Sequence, residues 1–198
     1  MIGLDRNDGM LAVARRKVPE IEWRQGQAEA LPFADGRFDA VVSQFGLMFF
    51  EDRVLALSEM WRVLKPRGRL AVAVWDALER TPGYAAMTAL LQRLFGERIA
   101  DALRAPYALG DPEALAALAA NADIPAQITT RQGTARFPSI DAWVHTDVKG
   151  WTLADMIDNG QYRLLQQEAP GALAHFVQPD GTVVFDAPAH ILCATRAG

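Results

Sequence analysis

The chain has 198 residues, 51% hydrophobic and 22% charged, the balance of a globular fold rather than a disordered or fibrous one. Twenty basic against 24 acidic residues leave a formal charge of −4, and the basic residues (all Arg except Lys17, Lys65 and Lys149) are scattered, so nothing suggests a nucleic-acid partner. The single Cys193 excludes a disulfide framework and a zinc site of several thiolates, and no apolar run approaches the roughly 18 residues of a membrane span, so the expected location is cytoplasmic.

In chain order, Ile2-Gly3-Leu4 reads as a short strand that stops at Asp5. A helix follows over 9–17, with Asp8 as its N-cap, basic residues in its last turn and Pro19 beyond it. Ile21–Trp23 alternates as a strand, and Gly26–Gly36 is a loop with a turn at Asp35-Gly36. Phe38–Ser43 is an apolar strand. Val54, Leu57, Met60, Trp61 and Leu64 then recur at helical spacing until Pro66 and Gly68, and Arg69–Trp75 is another apolar strand. This strand–helix–strand–strand–helix–strand alternation predicts a doubly wound, mostly parallel sheet. Beyond it, Thr81–Leu103 is mainly helical, and Pro112–Asn121 is an alanine-rich helix capped by Asp111. Gln127–Arg131 is a strand, Ser139–Phe176 holds two or three helices, and Gly181–Arg196 closes the chain as a strand or hairpin.

Several chemistries lack a local signature. No two glycines are separated by a single residue, so there is no G-x-G, and there is no Walker loop. Ser43, Ser58 and Ser139 lie outside any nucleophile elbow, and His145, His175 and His190 have no metal-ligand spacing. One acidic residue does carry a positional meaning. Asp5, at a strand end just before a helix, stands where a carboxylate can take both hydroxyls of a ribose in a doubly wound sheet, although an ordinary turn-forming Asp accounts for it equally well.

Gln25-Gly26-Gln27-Ala28-Glu29-Ala30-Leu31-Pro32-Phe33 and Gly36–Val42, followed by Glu59, Arg62-Val63-Leu64-Lys65-Pro66 and Gly68, resemble the class I S-adenosylmethionine-dependent methyltransferases. The branch is the ubiquinone/menaquinone-biosynthesis-like one, methyltransferase type 11. The resemblance covers residues 2 to about 75; Arg67 stands where the family has the first of two glycines. It implies a Rossmann-like α/β fold with a helical substrate cap, and S-adenosylmethionine as cofactor. Asp5 would bind the ribose hydroxyls and Met10 would lie against the adenine. Gln27 would accept from the adenine amino group, and Ala28 would offer its N–H to a ring nitrogen. Gln44 would sit near the methionine part. For Met10 and Gln44, plain packing and strand-end polarity are the competing account.

The family's glycine-rich cofactor loop precedes the ribose-binding acid by about 20 residues, whereas four residues precede Asp5. The expectation is therefore an N-terminally truncated domain whose sheet lacks its first strand, from a misassigned start, a fragment or a natural relic. That strand lies in mid-sheet. Its loss leaves a gap of roughly 9.6 Å or forces its neighbours to pair, and exposes an edge through which a homodimer could form. One methyltransferase-like domain is expected: 1–75 as the cofactor-side core, 76–110 and 139–180 as helical cap segments, 124–137 and 181–196 as closing strands. Phe45, Met48, Phe49, Tyr84, Tyr107, Trp143 and Trp151 could line a pocket for a small aromatic or lipid-like acceptor, or simply be core. His145 and Asp147 are the candidate bases beside it. The function expected is methyl transfer to a small molecule. The alternative is a non-catalytic relic acting in self-association or partner binding; a nicotinamide-dependent oxidoreductase is the weaker third reading, since it needs the same glycine loop.

Overall fold

The computed structural model describes residues 1–150 and 153–198, so Trp151 lies outside the described residues. It is an α/β fold with eight strands and seven α-helices among the described residues. Two compact units partition the chain. Unit 1 holds residues 1–72, 113–128 and 192–198; unit 2 holds 73–112 and 129–191.

Unit 1 opens with β1 (Ile2–Asp5), α1 (Asp8–Lys17) and β2 (Glu22–Gln25). β1 and β2 pair in parallel, with Asp5 opposite Gln25, and form a two-stranded sheet of their own. Gly3 is required there: a Cβ would fall 2.2 Å from the Trp23 ring that packs across it. Asn7 rather than Asp8 caps α1, its side chain accepting from the Met10 N–H. Asp8 is already the first helical residue, where its charge favours the helix N-terminus.

β3 (Phe38–Gln44), α2 (Arg53–Arg62) and β4 (Leu64–Trp75) follow. The sequence suggests that α2 runs from Arg53 to Leu64; it ends instead at Arg62, and β4 begins at Leu64. The residue before a proline is pushed to extended backbone, which stops the helix early. Arg196 braces this junction: its Nη1 donates to the carbonyls of Trp61 (3.0 Å) and Arg62 (2.9 Å) at the end of α2 and of Leu64 at the start of β4. Leu11, Leu57, Leu64, Leu70 and Val72 are fully buried, each leucine contributing about 1.5–3 kcal/mol by leaving water.

The second sheet has the order β3-β4-β8-β5, with β5 at Gln127–Arg131 and β8 at Ala189–Thr195. Arg67 N–H bonds the Arg196 carbonyl and Asp76 N–H the Pro188 carbonyl, so β4 and β8 run antiparallel and the sheet is mixed. β3 ends the sheet and does not pair with β1. α5 (Pro112–Asn121) begins at its proline as expected.

In unit 2, α3 (Pro82–Phe95) and α4 (Glu97–Arg104) are separated by Gly96 at φ 83°, which divides the single helical stretch read from the sequence. α6 (Ile140–Lys149) and α7 (Asn159–Leu173) complete the helices. β6 (Thr134–Phe137), not foreseen as a separate strand, pairs antiparallel with β7 (Val183–Asp186). The core centres on Met87, Leu91, Trp143, Leu165, Leu173 and Phe185.

Candidate functional site

The parallel register of β1 and β2 places Asp5 and Gln25 at one level on the carboxyl edge of the small sheet, where open α/β sheets bind ligands. The turn into α1 is built on the Asp5 carboxylate, whose Oδ1 accepts the Asn7 N–H at 2.8 Å. Gln25 Nε2 donates to the Arg6 carbonyl at 3.2 Å, and the Gly26 N–H to the Asp5 carbonyl at 3.1 Å. These bonds fix the backbone around Asp5 while its second carboxylate oxygen takes no part in them.

Beside this edge a cleft of about 190 Å³ is lined by Arg6, Gln27, Glu29, Glu51, Asp52 and Leu55. Glu29 accepts the Glu51 N–H at 3.0 Å, and Arg6 lies 3.5 Å from Glu51 in an exposed ion pair. Gln27, expected at the adenine, is exposed and lines the cleft; Ala28 beside it is buried. A bridge between Gln27 and Ala30 closes this turn. Met10 is 59% exposed on α1, and Gln44 is exposed at the end of β3. Neither lines the cleft. Phe45 is half-buried at φ 54°, and Met48 is buried in the turn after it.

What holds the 26–36 loop in place was not visible in the sequence. Glu59 accepts the Leu31 N–H at 2.8 Å. Arg62 binds Glu59, Asp35 and the carbonyls of Leu31 and Phe33 at 2.6–3.2 Å. Arg62 hydrogen-bonding to Glu59 holds that carboxyl below its usual range, and the two acids push the guanidinium up. These residues entered the sequence reading only as part of a family pattern; the partners lie some 30 positions away, beyond any local signal.

Unit 2 brings together three of the residues expected on the acceptor side. Tyr84 lies 5.8 Å from Tyr107 and 5.9 Å from Trp143, ring centre to ring centre. The two candidate bases part company on α6. His145 is exposed, its Nδ1 3.2 Å from the Tyr162 hydroxyl, whereas Asp147 is 2% exposed and accepts from the Tyr84 hydroxyl at 3.4 Å. Burial pushes the Asp147 carboxyl up to about 7, against a smaller lowering by Trp143 and Tyr84. Burial likewise pushes both tyrosine hydroxyls upward.

A second buried polar group in unit 2 has no sequence signature. His190 Nε2 lies 3.2 Å from Asp76 Oδ1 and 3.0 Å from the Gly110 carbonyl, two acceptors, so that nitrogen carries a proton. Its Nδ1 meets the Thr130 hydroxyl at 2.9 Å. Gly110 is obligatory here, because a Cβ would fall 2.3 Å from the Ala77 backbone. Among the described residues no group of three or more His, Cys, Asp or Glu is placed to hold a metal, and no helix is long and apolar enough to cross a membrane.

The architecture is that of the Rossmann-like methyltransferases. YcgJ from Bacillus subtilis superposes with a TM-score of 0.60 at 19% identity, over 100% of this chain and 82% of that one. Haemonchus contortus phosphoethanolamine N-methyltransferase 2, solved with S-adenosyl-L-methionine, superposes at 0.56 and 18% identity, over 100% of this chain and 43% of that one. In sequence, residues 1–72 match the methyltransferase domain family. The chain is 49% identical over 73 residues to the demethylmenaquinone methyltransferase of Renibacterium salmoninarum, covering 37% of this chain and 31% of that protein. It is also 49% identical over 74 residues to the ubiquinone/menaquinone biosynthesis C-methyltransferase of Klebsiella pneumoniae, covering 34% and 30%. The chain thus spans about a third of the length of these curated relatives.

Proposed function

We propose that this protein is a methyltransferase domain that holds the adenosine half of S-adenosylmethionine in unit 1 and serves carbon methylation of a small quinone-related acceptor. The observation that carries the cofactor assignment is the carboxyl edge of β1–β2. There Asp5 keeps an oxygen outside the turn it builds, and Gln27 lines the adjacent cleft beside Arg6. Asp5 would take the ribose hydroxyls in charge-assisted bonds, Gln27 the adenine amino group, and the Ala28 N–H a ring nitrogen. Met10, exposed on α1, would cover the adenine, and Gln44 would meet the methionine part. When bound, the cofactor would supply an electrophilic methyl on a sulfonium; an aligned electron-rich ring carbon would take that methyl, the thioether would leave, and the ring carbon's proton would pass to water. The acceptor class follows the names of the relatives above and the aromatic lining of unit 2, where Tyr84 and Trp143 are its proposed contacts.

Thermal-shift titration with S-adenosylmethionine and S-adenosylhomocysteine tests this. A ligand at 100 times its dissociation constant adds about 2.7 kcal/mol to the folded state. Wild type should show a saturable rise in Tm, and Asp5→Ala should need roughly ten to a hundred times more ligand, the worth of hydrogen bonds to a charged group. A cooperatively folded sample with no shift rejects the cofactor site.

A second reading, self-association, has its own observation: β1 and β3 each present one unpaired edge, and Val42 on β3 is 72% exposed. The partner would be a second copy of the chain.

A further inference from the structure

Three neighbouring strands of the second sheet carry a row of polar side chains that the cofactor reading leaves unused. Asp76 stands just past the end of β4, His190 near the start of β8 and Thr130 on β5, in the sheet order β4-β8-β5. The row runs from the interior outward: Asp76 and His190 are each 2% exposed, whereas Thr130 is exposed on the edge strand.

The hydrogen bonds fix the proton on the ring. His190 Nε2 faces two acceptors, Asp76 Oδ1 at 3.2 Å and the Gly110 carbonyl at 3.0 Å, so it donates. The neutral ring then keeps its lone pair on Nδ1, and the Thr130 hydroxyl, 2.9 Å away, donates into it. Asp76 is itself held in place. Its Oδ1 accepts the Ala77 N–H at 2.7 Å, and its own N–H bonds the Pro188 carbonyl at 3.1 Å, close to His190 in the chain. A hydroxyl bound to a neutral imidazole, whose far nitrogen is bound to a buried carboxylate, is the arrangement that makes an alcohol nucleophilic. A histidine buried for packing needs partners for its nitrogens, but it does not need one of them open to solvent. Here a reagent can meet the hydroxyl at the surface of the edge strand, with no cavity to enter.

We propose that Thr130 is a nucleophile for acyl transfer, with His190 as its general base and Asp76 as a positioning residue, and that it takes the acyl group of an activated ester or thioester. Thr130 Oγ1 bonds the acyl carbon while its proton passes to His190 Nδ1. The bond from that carbon to the leaving alkoxide or thiolate breaks, and the leaving group takes the proton from the imidazolium. The products are acyl-Thr130 and the free alcohol or thiol. This chemistry is independent of the methyltransferase reading.

The test incubates the full chain with p-nitrophenyl acetate. Cys193 is exposed and its thiol would compete, so the chain carries Cys193→Ser. Acetyl groups are assigned by fragmenting the tryptic peptide that ends at Arg131, in which the exposed Thr129 serves as the control for ordinary threonine reactivity. Thr130 should be acetylated at least about a hundredfold faster than Thr129, the usual worth of a positioned base. The imidazole faces Asp76, whose Oδ1 lies 3.9 Å from Arg80 Nε. As pH rises, the Thr130 rate should therefore climb and level off once the ring is neutral, while the Thr129 rate keeps climbing with its alkoxide. Asp76→Asn keeps the shape and loses the charge that steadies the imidazolium, so it should lower the Thr130 plateau at least about tenfold and leave Thr129 unchanged. Thr130→Ser should keep the fast reaction. Equal rates at the two threonines overturn the proposal, as does a Thr130 rate that never levels off or a full plateau in Asp76→Asn.

Discussion

Arg67 adopts φ 63°, a left-handed conformation that costs an L-residue roughly 1–2 kcal/mol. It occupies the position where the resembled family carries glycine, so the strain belongs to this sequence and not to the turn. Its N–H still bonds the Arg196 carbonyl at 3.0 Å, a contact glycine would keep. Arg67→Gly is therefore expected to stabilise the protein by about 0.5–1 kcal/mol, the relieved strain less the extra chain entropy of glycine. Urea denaturation checks it, and a midpoint at or below wild type would show that the arginine side chain contributes more than its backbone costs.

Asp147 sets a pH dependence at the same scale. Its carboxyl stands at about 7 in the fold, against about 3.9 in an unfolded chain. The folded state therefore holds the proton more tightly, so this group's contribution is complete below pH ~4 and is lost as pH rises through 7. Full loss amounts to about 4 kcal/mol. Wild type should lose stability between pH 5 and pH 8 relative to Asp147→Asn, whose side chain does not titrate. Parallel pH profiles for the two proteins in guanidinium unfolding would contradict this.

Among the elements, those with strong local pattern were legible in the sequence, and those set by distant partners were not. The apolar run Leu70–Val74 announces β4, and Pro112 announces the start of α5. β6 has four residues and makes sense only beside β7, nearly 50 positions later, so its weak alternation gave no separate signal. Asp5, Gln27 and Ala28, the proposed cofactor contacts, come from a family pattern and not from any local signal. The loop that presents two of them is fixed by Arg62, whose partners in the loop are non-local, and the role of Arg62 emerged only from the fold. Arg62→Met keeps the aliphatic stem and removes four hydrogen-bond partners, at an expected cost of about 1–3 kcal/mol. The freed 31–35 segment should then be cut by chymotrypsin after Phe33 under conditions that leave wild type intact. Unchanged cleavage would mean that Glu59 alone holds the loop.

Across the whole molecule, the two units bury their apolar surface unequally. Unit 2 encloses a continuous cluster around Trp143 and Phe185. Of the eight exposed large hydrophobic residues among those described, six lie in unit 1: Met1, Met10, Val13, Val42, Phe49 and Leu55. The same unit carries the unpaired edges of β1 and β3. Sheet edges with uncovered apolar side chains invite pairing with another chain, and a lysine on the edge strand is how natural proteins discourage it. Sedimentation velocity should therefore show concentration-dependent dimers of the wild-type chain. Val42→Lys, changing a side chain that is already 72% exposed, should leave the circular dichroism unchanged and shift the population to monomer. A wild-type chain that stays monomeric across the micromolar range would remove the case for self-association, and the apolar surface of unit 1 would then be an intrinsic property of the monomer.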